Sequence, residues 1–474
     1  MEIPPLATES LCPDCLRKVD ATIRSSGGVA YLEKHCPEHG AFKTPVWRGE
    51  PAFEHWTRPK IHQPPPVPLT DVRTGCPFDC GLCPDHRQRS CTILIEVTER
   101  CNLGCPVCFA DAGRASRPDP RLSTISDWFQ TARRAAPQAN IQLSGGEPTV
   151  RDDLARIVAL GRAAGFGFIQ LNTNGLRIAE EPAYLAALKG AGLSSVFLQF
   201  DGVDDAVYLK LRGRSLLETK LRAIQACAEQ GIGVVLTPTL VPGVNTDAVG
   251  AILEKAVALS PTVRAVHFQP ISYFGRFTHF GRGNTSEGPK ARLTLPELMH
   301  LIEDQSDGVF AVGHFKPPGC ENARCSFHGN FLAMPEGRVM PLQQMAAKQC
   351  CGTDDNGLIP IPAAEGALKA MAYVRRQWAA PEVPPRAPHP DSGEAASSEG
   401  VDGQGNGPPS LEAFISRARS HTLSVSAMAF QDVWNVDLNR VRDCCIHVMA
   451  PDHRLIPFCL YNLTSADGRR LYRI

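Results

Sequence analysis

The sequence predicts an α/β chain built on a partial (β/α)6 barrel, with a small metal ribbon before the barrel and a cysteine-containing extension after it. From Thr92 onward, short β-branched runs alternate with helical patterns, as in βα units wound about a parallel sheet. The 18 cysteines fall in tight clusters at metal-ligand spacings, which favours metal thiolates over a disulfide framework. At 474 residues the chain exceeds the roughly 250–300 residues at which single cores stop growing, so more than one unit is expected.

Residues 1–63 form the first unit. CPDC and CPEH supply Cys12, Cys15, Cys36 and His39, two knuckles flanking hairpin-like sequence, as in a zinc ribbon or a rubredoxin-like mononuclear iron site. A closed site of that kind helps a segment with little core to fold; free thiols on a loop are the plainer alternative. The stretch RPKIHQPPPVP reads as a stiff extended spacer and places a boundary near Pro64. Residues 64–91 carry GCPFDCGLCPDH, in which Cys76, Cys80 and Cys83 follow no strand, with Cys91 next as a fourth thiolate. An auxiliary 4Fe-4S cluster or a zinc site is expected there, and spacing does not choose the metal.

The barrel is assigned to residues 92–310, with strands in TILIEVT, NIQLSGG, FGFIQLNTN, SVFLQFD, GVVLTPTLV and AVHFQPI. After the first, TERCNLGCPVCF puts Cys101, Cys105 and Cys108 in a C-x3-C-x2-C pattern on the loop leaving the strand end. Clusters are usually held by four thiolates, so a three-cysteine loop leaves one iron open. An open iron can chelate the amino and carboxylate groups of S-adenosylmethionine. One-electron cleavage then yields a 5'-deoxyadenosyl radical that takes hydrogen from an unactivated carbon. A zinc site or an electron-transfer cluster could use the same spacing. No catalytic side chain is assigned beyond the cluster.

This segment resembles the radical SAM superfamily, and the resemblance implies further roles. Ser144, Gly145, Gly146 and Glu147, followed by Pro148, are similar to that family's GGE motif, whose backbone and Glu contact the methionyl amino group; glycine permits close backbone approach. Asn172, Thr173, Asn174, Gln199, Asp201, Thr237 and Thr239 stand at strand ends where cofactor and substrate contacts are implied. Ordinary strand-end turn chemistry is the alternative for each. The position before the third cysteine, commonly aromatic in the superfamily, is Val107, with Phe109 just beyond.

The C-terminal region is assigned to 311–378 and 411–474. The insert 379–410 between them has almost no apolar content and is expected to be disordered. Cys320, Cys325, Cys444, Cys445 and Cys459 offer ligands for a second auxiliary cluster between barrel and extension; buried thiols acting as small hydrophobes are the alternative. Cys227 reads as helix core, and Cys350 and Cys351 have no assignment.

Lys+Arg and Asp+Glu both number 49, so bulk charge favours neither nucleic acid nor an anionic membrane. The first residues lack a basic region and an apolar run, and no later run approaches the roughly 18 apolar residues of a membrane span. A cytoplasmic chain with at most peripheral membrane contact is expected.

The whole arrangement, from CPEHG through CPFDCGLCPDH and IEVTERCNLGCPVCFADAG to CCIHV and RLIPFCLYN, resembles the tetraether lipid synthase family, several members of which are labelled pterin methyltransferases. The resemblance implies coupling of two lipid tails at unactivated carbons. A radical cluster would act with auxiliary clusters, one of which holds the first alkyl fragment on its sulfur. Two molecules of S-adenosylmethionine would be consumed, and a ferredoxin or flavodoxin would supply electrons. A lipid substrate requires an elongated apolar cavity; methylation of a pterin-like small molecule requires a compact pocket lined by Asp, Glu or Asn. An iron-sulfur electron carrier or a zinc-ribbon interaction protein is the non-enzymatic alternative, and it has no use for the GGE element.

Overall fold

The computed structural model describes residues 4–113, 117–277, 288–289, 291–342, 360–381 and 411–473. Cys350, Cys351 and residues 382–410 of the expected insert lie outside the described residues. Strands β1 (Leu6–Leu11), β2 (Lys18–Ser26), β3 (Val29–Cys36) and β4 (Gly40–Arg48) form an antiparallel ribbon in sequence order. Alternation along β3 buries Ala30, Leu32, Lys34 and Cys36 on one face. The buried Lys34 ammonium donates to Ser10 Oγ at 3.1 Å, the Leu11 carbonyl at 2.7 Å and the Val433 carbonyl at 2.8 Å. That last bond ties the ribbon to the C-terminal region.

A two-residue strand, β5 (Lys60–Ile61), leads to the barrel: β6 (Thr92–Thr98), α1 (Leu122–Ala135), β7 (Asn140–Gly145), α2 (Leu154–Ala163), β8 (Ile169–Thr173), α3 (Leu176–Glu180), α4 (Pro182–Gly190), β9 (Ser195–Gln199), α5 (Asp205–Arg212), α6 (Leu217–Glu229), β10 (Gly233–Thr237), β11 (Thr239–Leu240), α7 (Val249–Ala258), β12 (Val263–Pro270) and α8 (Leu295–Gln305). The run GVVLTPTLV, expected as one strand, divides at Pro238 into β10 and β11, because proline has no N–H to give to the ladder.

The extension supplies β13 (Ser326–Ala333), β14 (Val339–Pro341), β15 (Ile361–Pro362), α9 (Ala363–Trp378), α10 (Leu411–Ser420), β16 (Thr422–Met428), α11 (Leu438–Arg442), β17 (Ile446–Met449), β18 (Leu455–Pro457) and α12 (Phe458–Tyr461). β16 pairs in parallel with β12, and β17 in parallel with β6. The six-strand array therefore gains one parallel strand at each edge, where unpaired backbone groups would otherwise stand open. The runs CIHVM and RLIPF show strand character in the sequence alone; the segment of β16 does not.

Helix α9 closes the barrel at the N-terminal ends of its strands. Arg375 Nε donates to Asn140 Oδ1 at 2.8 Å, Gln377 Nε2 to the Thr422 carbonyl at 2.6 Å, and Arg264 Nε to the Gln377 carbonyl at 2.9 Å. A Cβ on Gly233 would stand 2.4 Å from the Trp378 carbonyl, so only glycine lets the helix end sit against β10. No helix among the described residues is long and apolar enough to cross a membrane.

Candidate active site

The loop after β6 carries Cys101, Cys105 and Cys108, and all three line one cavity of about 830 Å³ inside the barrel. Arg276 holds this loop. Its Nε donates to the Cys105 carbonyl at 2.7 Å, its Nη1 pairs with Asp111 at 2.8 Å, and backbone bonds in both directions join Cys108 to Arg276. Burial pushes the Cys101 thiol up to about 12, so a thiolate there needs a metal cation beside it.

The turn after β7 grips the same loop. Gly146 N–H donates to the Thr98 carbonyl and Glu147 N–H to the Arg100 carbonyl, both at 2.8 Å. A Cβ on Gly145 would lie 2.2 Å from the Thr98 oxygen, and one on Gly146 2.1 Å from the Arg100 oxygen. The close approach that demands glycine is thus made by the cluster loop's own backbone. Glu147 is a hub: Oε1 accepts from Thr149 N at 3.1 Å, Thr149 Oγ1 at 2.6 Å and Thr173 Oγ1 at 2.7 Å, while Oε2 accepts from Asn174 N at 2.7 Å. Asn174 Nδ2 in turn donates to Asn102 Oδ1 on the cluster loop at 2.7 Å.

Behind the strand ends lies an ionic cluster of which the sequence reading named only Asp201. Asp201 is fully buried. Its oxygens accept from Arg212 at 2.7 and 2.8 Å, from Thr239 N at 3.1 Å and from the Gln199 amide. It is not among the residues that line the cavity: a buried carboxylate takes the nearest cation. Arg212 reaches on to Thr239 Oγ1 at 3.1 Å and the Val107 carbonyl at 3.3 Å. Lys220, also fully buried, donates to the Asn174 carbonyl at 2.5 Å and to Gln199 Oε1 at 3.1 Å. Burial draws its ammonium down to about 8 against the pull of Asp201. The available signal was register, since Lys220 shares the helical stripe of the buried Ala223, Ile224 and Cys227.

The cavity wall is polar at alternate strand positions. Gln142 and Ser144 of β7, Gln170 and Asn172 of β8, Gln199 of β9, Thr237 of β10, and His267 and Gln269 of β12 all face inward. Gln142 Nε2 donates to Gln170 Oε1 at 2.7 Å, and Asn172 Oδ1 is buried with no partner. The polar letters at every second place in NIQLSG and IQLNT could have disclosed this lining.

The remaining cysteines regroup. In the ribbon, Cys12, Cys15, Cys36 and His39 bring their ligand atoms within 4.8 Å of one another. Cys15 and Cys36 sulfurs are 3.9 Å apart, close to the roughly 3.8 Å separating two sulfurs bound tetrahedrally to zinc. Cys91, expected to complete the set of Cys76, Cys80 and Cys83, instead lies with Cys320 and Cys445, all within 4.8 Å. Cys91 and Cys320 are joined as a disulfide, yet their Cα atoms are 7.4 Å apart, beyond the roughly 4.4–6.8 Å usual for that bond. The three converging sulfurs could hold a metal ion, and all three residues line the barrel cavity. The strand pairing explains the regrouping: β17 lies beside β6, and Cys91 N–H donates to the Cys445 carbonyl at 2.7 Å. Cys325, Cys444 and Cys459 are not part of that three-ligand group. Cys325 Sγ accepts from Arg440 at 3.3 Å and Cys459 Sγ from Gln431 N at 3.2 Å. Cys227 is buried in α6.

Residues 95–256 match the radical SAM superfamily, and residues 5–48 match the HMPTM N-terminal zinc ribbon domain. The chain is 35% identical to the 7,8-dihydro-6-hydroxymethylpterin dimethyltransferase of Methanocaldococcus jannaschii, over 96% of this chain and 93% of that one. The chain belongs to the radical SAM superfamily. A probable GTP 3',8-cyclase of Methanopyrus kandleri is 30% identical over 47% of this chain and 70% of that one. Streptococcus suis SuiB bound to S-adenosylmethionine aligns with 47% of this chain and 48% of that one, at 16% identity and a TM-score of 0.39.

Membership in the radical SAM superfamily implies a 4Fe-4S cluster and S-adenosylmethionine, and the residues present fit both. Three soft thiols on one loop leave the fourth iron of a cubane without a ligand among them. A carboxylate offers about four acceptor sites. Glu147 Oε2 receives a single donor and so keeps one site for an ammonium, and the orphaned Asn172 Oδ1 faces the same cavity.

Proposed function

We propose that this radical SAM enzyme acts on a small, polar, pterin-like heterocycle and transfers methyl groups to it. Polar side chains set into an otherwise largely apolar wall carry the reading: Gln142, Gln170, Asn172, Gln199, His267 and Gln269 face the cavity. Saturated lipid tails would leave the buried Asn172 Oδ1, which has no partner within the protein, without a hydrogen bond, at about 1–3 kcal/mol. A cavity of about 830 Å³ must also accept S-adenosylmethionine and the cluster, which limits the space left for a substrate. The name of the Methanocaldococcus jannaschii relative agrees with this substrate class.

Bound at Cys101, Cys105 and Cys108, the cluster and S-adenosylmethionine would supply the 5'-deoxyadenosyl radical that opens a C–H bond; the methyl group would come from a separate one-carbon donor, because that cleavage leaves the methyl on methionine. Glu147 and Asn172 would take the amino group, Arg276 fixes the loop, and Lys220 and Arg212 hold the strand ends that face the substrate. The electron donor is a ferredoxin or flavodoxin, in a reducing cytoplasm.

One observation favours a second reading, the coupling of lipid alkyl chains: Cys91, Cys320 and Cys445 line the same cavity as the radical loop, where an auxiliary cluster could hold an alkyl fragment. Anaerobically reconstituted protein given dithionite, S-adenosylmethionine and either 7,8-dihydro-6-hydroxymethylpterin or a saturated-tail lipid separates the two. A pterin heavier by methyl groups, with deoxyadenosine, supports methyl transfer. Two joined lipid chains with an unaltered pterin would overturn it.

A further inference from the structure

The barrel floor carries a group of side chains that cluster and S-adenosylmethionine chemistry leaves unused. Phe197 of β9 and His267 of β12 point inward, and Trp378, the last residue of α9, meets them from below. Ring centroids are 5.7 Å apart for Phe197 and His267, 5.8 Å for Phe197 and Trp378, and 6.2 Å for His267 and Trp378. All three line the cavity. Gln142 and Gln170 stand beside them, and the bond from Gln142 Nε2 to Gln170 Oε1 fixes both amide planes. Gln170 Nε2 is spent on Ser195 Oγ at 3.2 Å.

A floor meant only to plug a barrel would be apolar, since an imidazole and two amides cost free energy to bury without full hydrogen bonding. Here His267 Nδ1 is held by Ser426 Oγ at 2.8 Å. Its Nε2 and the Oε1 of Gln142 have no hydrogen-bond partner among the described residues. Burial pulls the imidazole down to about 4, so His267 is neutral at working pH and offers Nε2 to a neutral donor or acceptor. Flat faces with fixed polar edges suit a heteroaromatic ring, which stacks and hydrogen-bonds at once; an alkyl chain satisfies only the faces.

We infer that this floor seats the flat ring of the substrate, with Phe197, His267 and Trp378 against its faces and Gln142 and Gln170 at its edge. The inference rests on the small-heterocycle reading above. Phe197, His267, Gln170 and Gln142 each lie two residues before Gln199, Gln269, Asn172 and Ser144, about 7 Å nearer the floor at strand rise. A ring seated there presents its upper edge to the layer that faces the cluster loop.

The test uses full-length reconstituted protein with 7,8-dihydro-6-hydroxymethylpterin as the probe, followed by calorimetry and by quenching of tryptophan emission. His267→Phe keeps a ring but removes the nitrogens, and Gln142→Leu keeps the volume but removes the amide. Matching iron content checks that both variants fold. Each is expected to weaken pterin binding at least tenfold, and Trp378→Phe to remove most of the quenching. If wild type binds the pterin and both variants bind it equally well, the floor is not the seat and the inference fails while the small-heterocycle reading stands. If wild type cleaves S-adenosylmethionine yet binds no pterin, the reading fails and takes the inference with it.

Discussion

Arg212 carries its charge with almost no water around it, and its partner Asp201 is fully enclosed. Removing one member of such a pair leaves the other charge uncompensated, which costs about 3–5 kcal/mol. Arg212→Leu is therefore expected to lower the urea midpoint steeply, and a variant as stable as wild type would show that Asp201 finds another cation. The residue scale also marks where the sequence is legible. Cys101, Cys105 and Cys108 could be read directly because three thiols at fixed spacing on one loop need no tertiary information. Arg212 and Lys220 could not, because arginine and lysine on helices are solvent-facing by default. Only the inward register of α5 and α6 turns them toward Asp201, Asn174 and Gln199. Cys91 was assigned by nearness in sequence, whereas pairing of β17 with β6 brings it to Cys445.

At the scale of elements, the alternation of β-branched runs and helical stripes located the strands β6 to β12 and the long helices between them, because period-two and 3.6-residue patterns are local properties. Strand β16 escaped because TLSVSAM is half small and hydroxylic, and it becomes a strand only by pairing with β12 and β13. Its serines, Ser424 and Ser426, line the cavity. In the ribbon, Val19 and Phe42 pack with the cysteines of the four-ligand knuckle while Ile23, Leu32 and Trp47 join the main core, so a metal at the knuckle would add chiefly to the folding of that end. Cys36→Ser is expected to release one metal ion per chain, leave barrel iron in place, and make the first 50 or so residues the early site of proteolysis. Elemental analysis and limited digestion check this, and full retention of ribbon metal would remove Cys36 from the ligand set.

At the scale of the whole molecule, His86 and His447 are buried and His267 lies in the wall of the cavity. Burial takes His267 to about 4 and His447 well below the ordinary 6.5. Burial also takes His86 to about 4, against the pull of its bond to the Cys444 carbonyl. Between pH 6.5 and about 4, the unfolded chain takes up protons that the folded chain refuses. Stability therefore falls as pH falls through that window, and above 6.5 these groups contribute no pH dependence. Unfolding midpoints measured from pH 7 to 4 should drop, and His86→Phe should flatten the drop. A slope identical to wild type would mean that His86 protonates in place.

Strands β16 and β17 cover opposite edges of the six-strand parallel array running from β6 to β12, all of which comes earlier in the chain. During synthesis, β6 to β12 can pair among themselves long before residues 422–449 leave the ribosome. The intermediate is a half-barrel with two bare edges, each able to add a strand from a neighbouring chain. Translation is thus the stage at which this protein is most exposed to misassembly, and the interval between the synthesis of β12 and that of β17 sets how long the two edges stay bare.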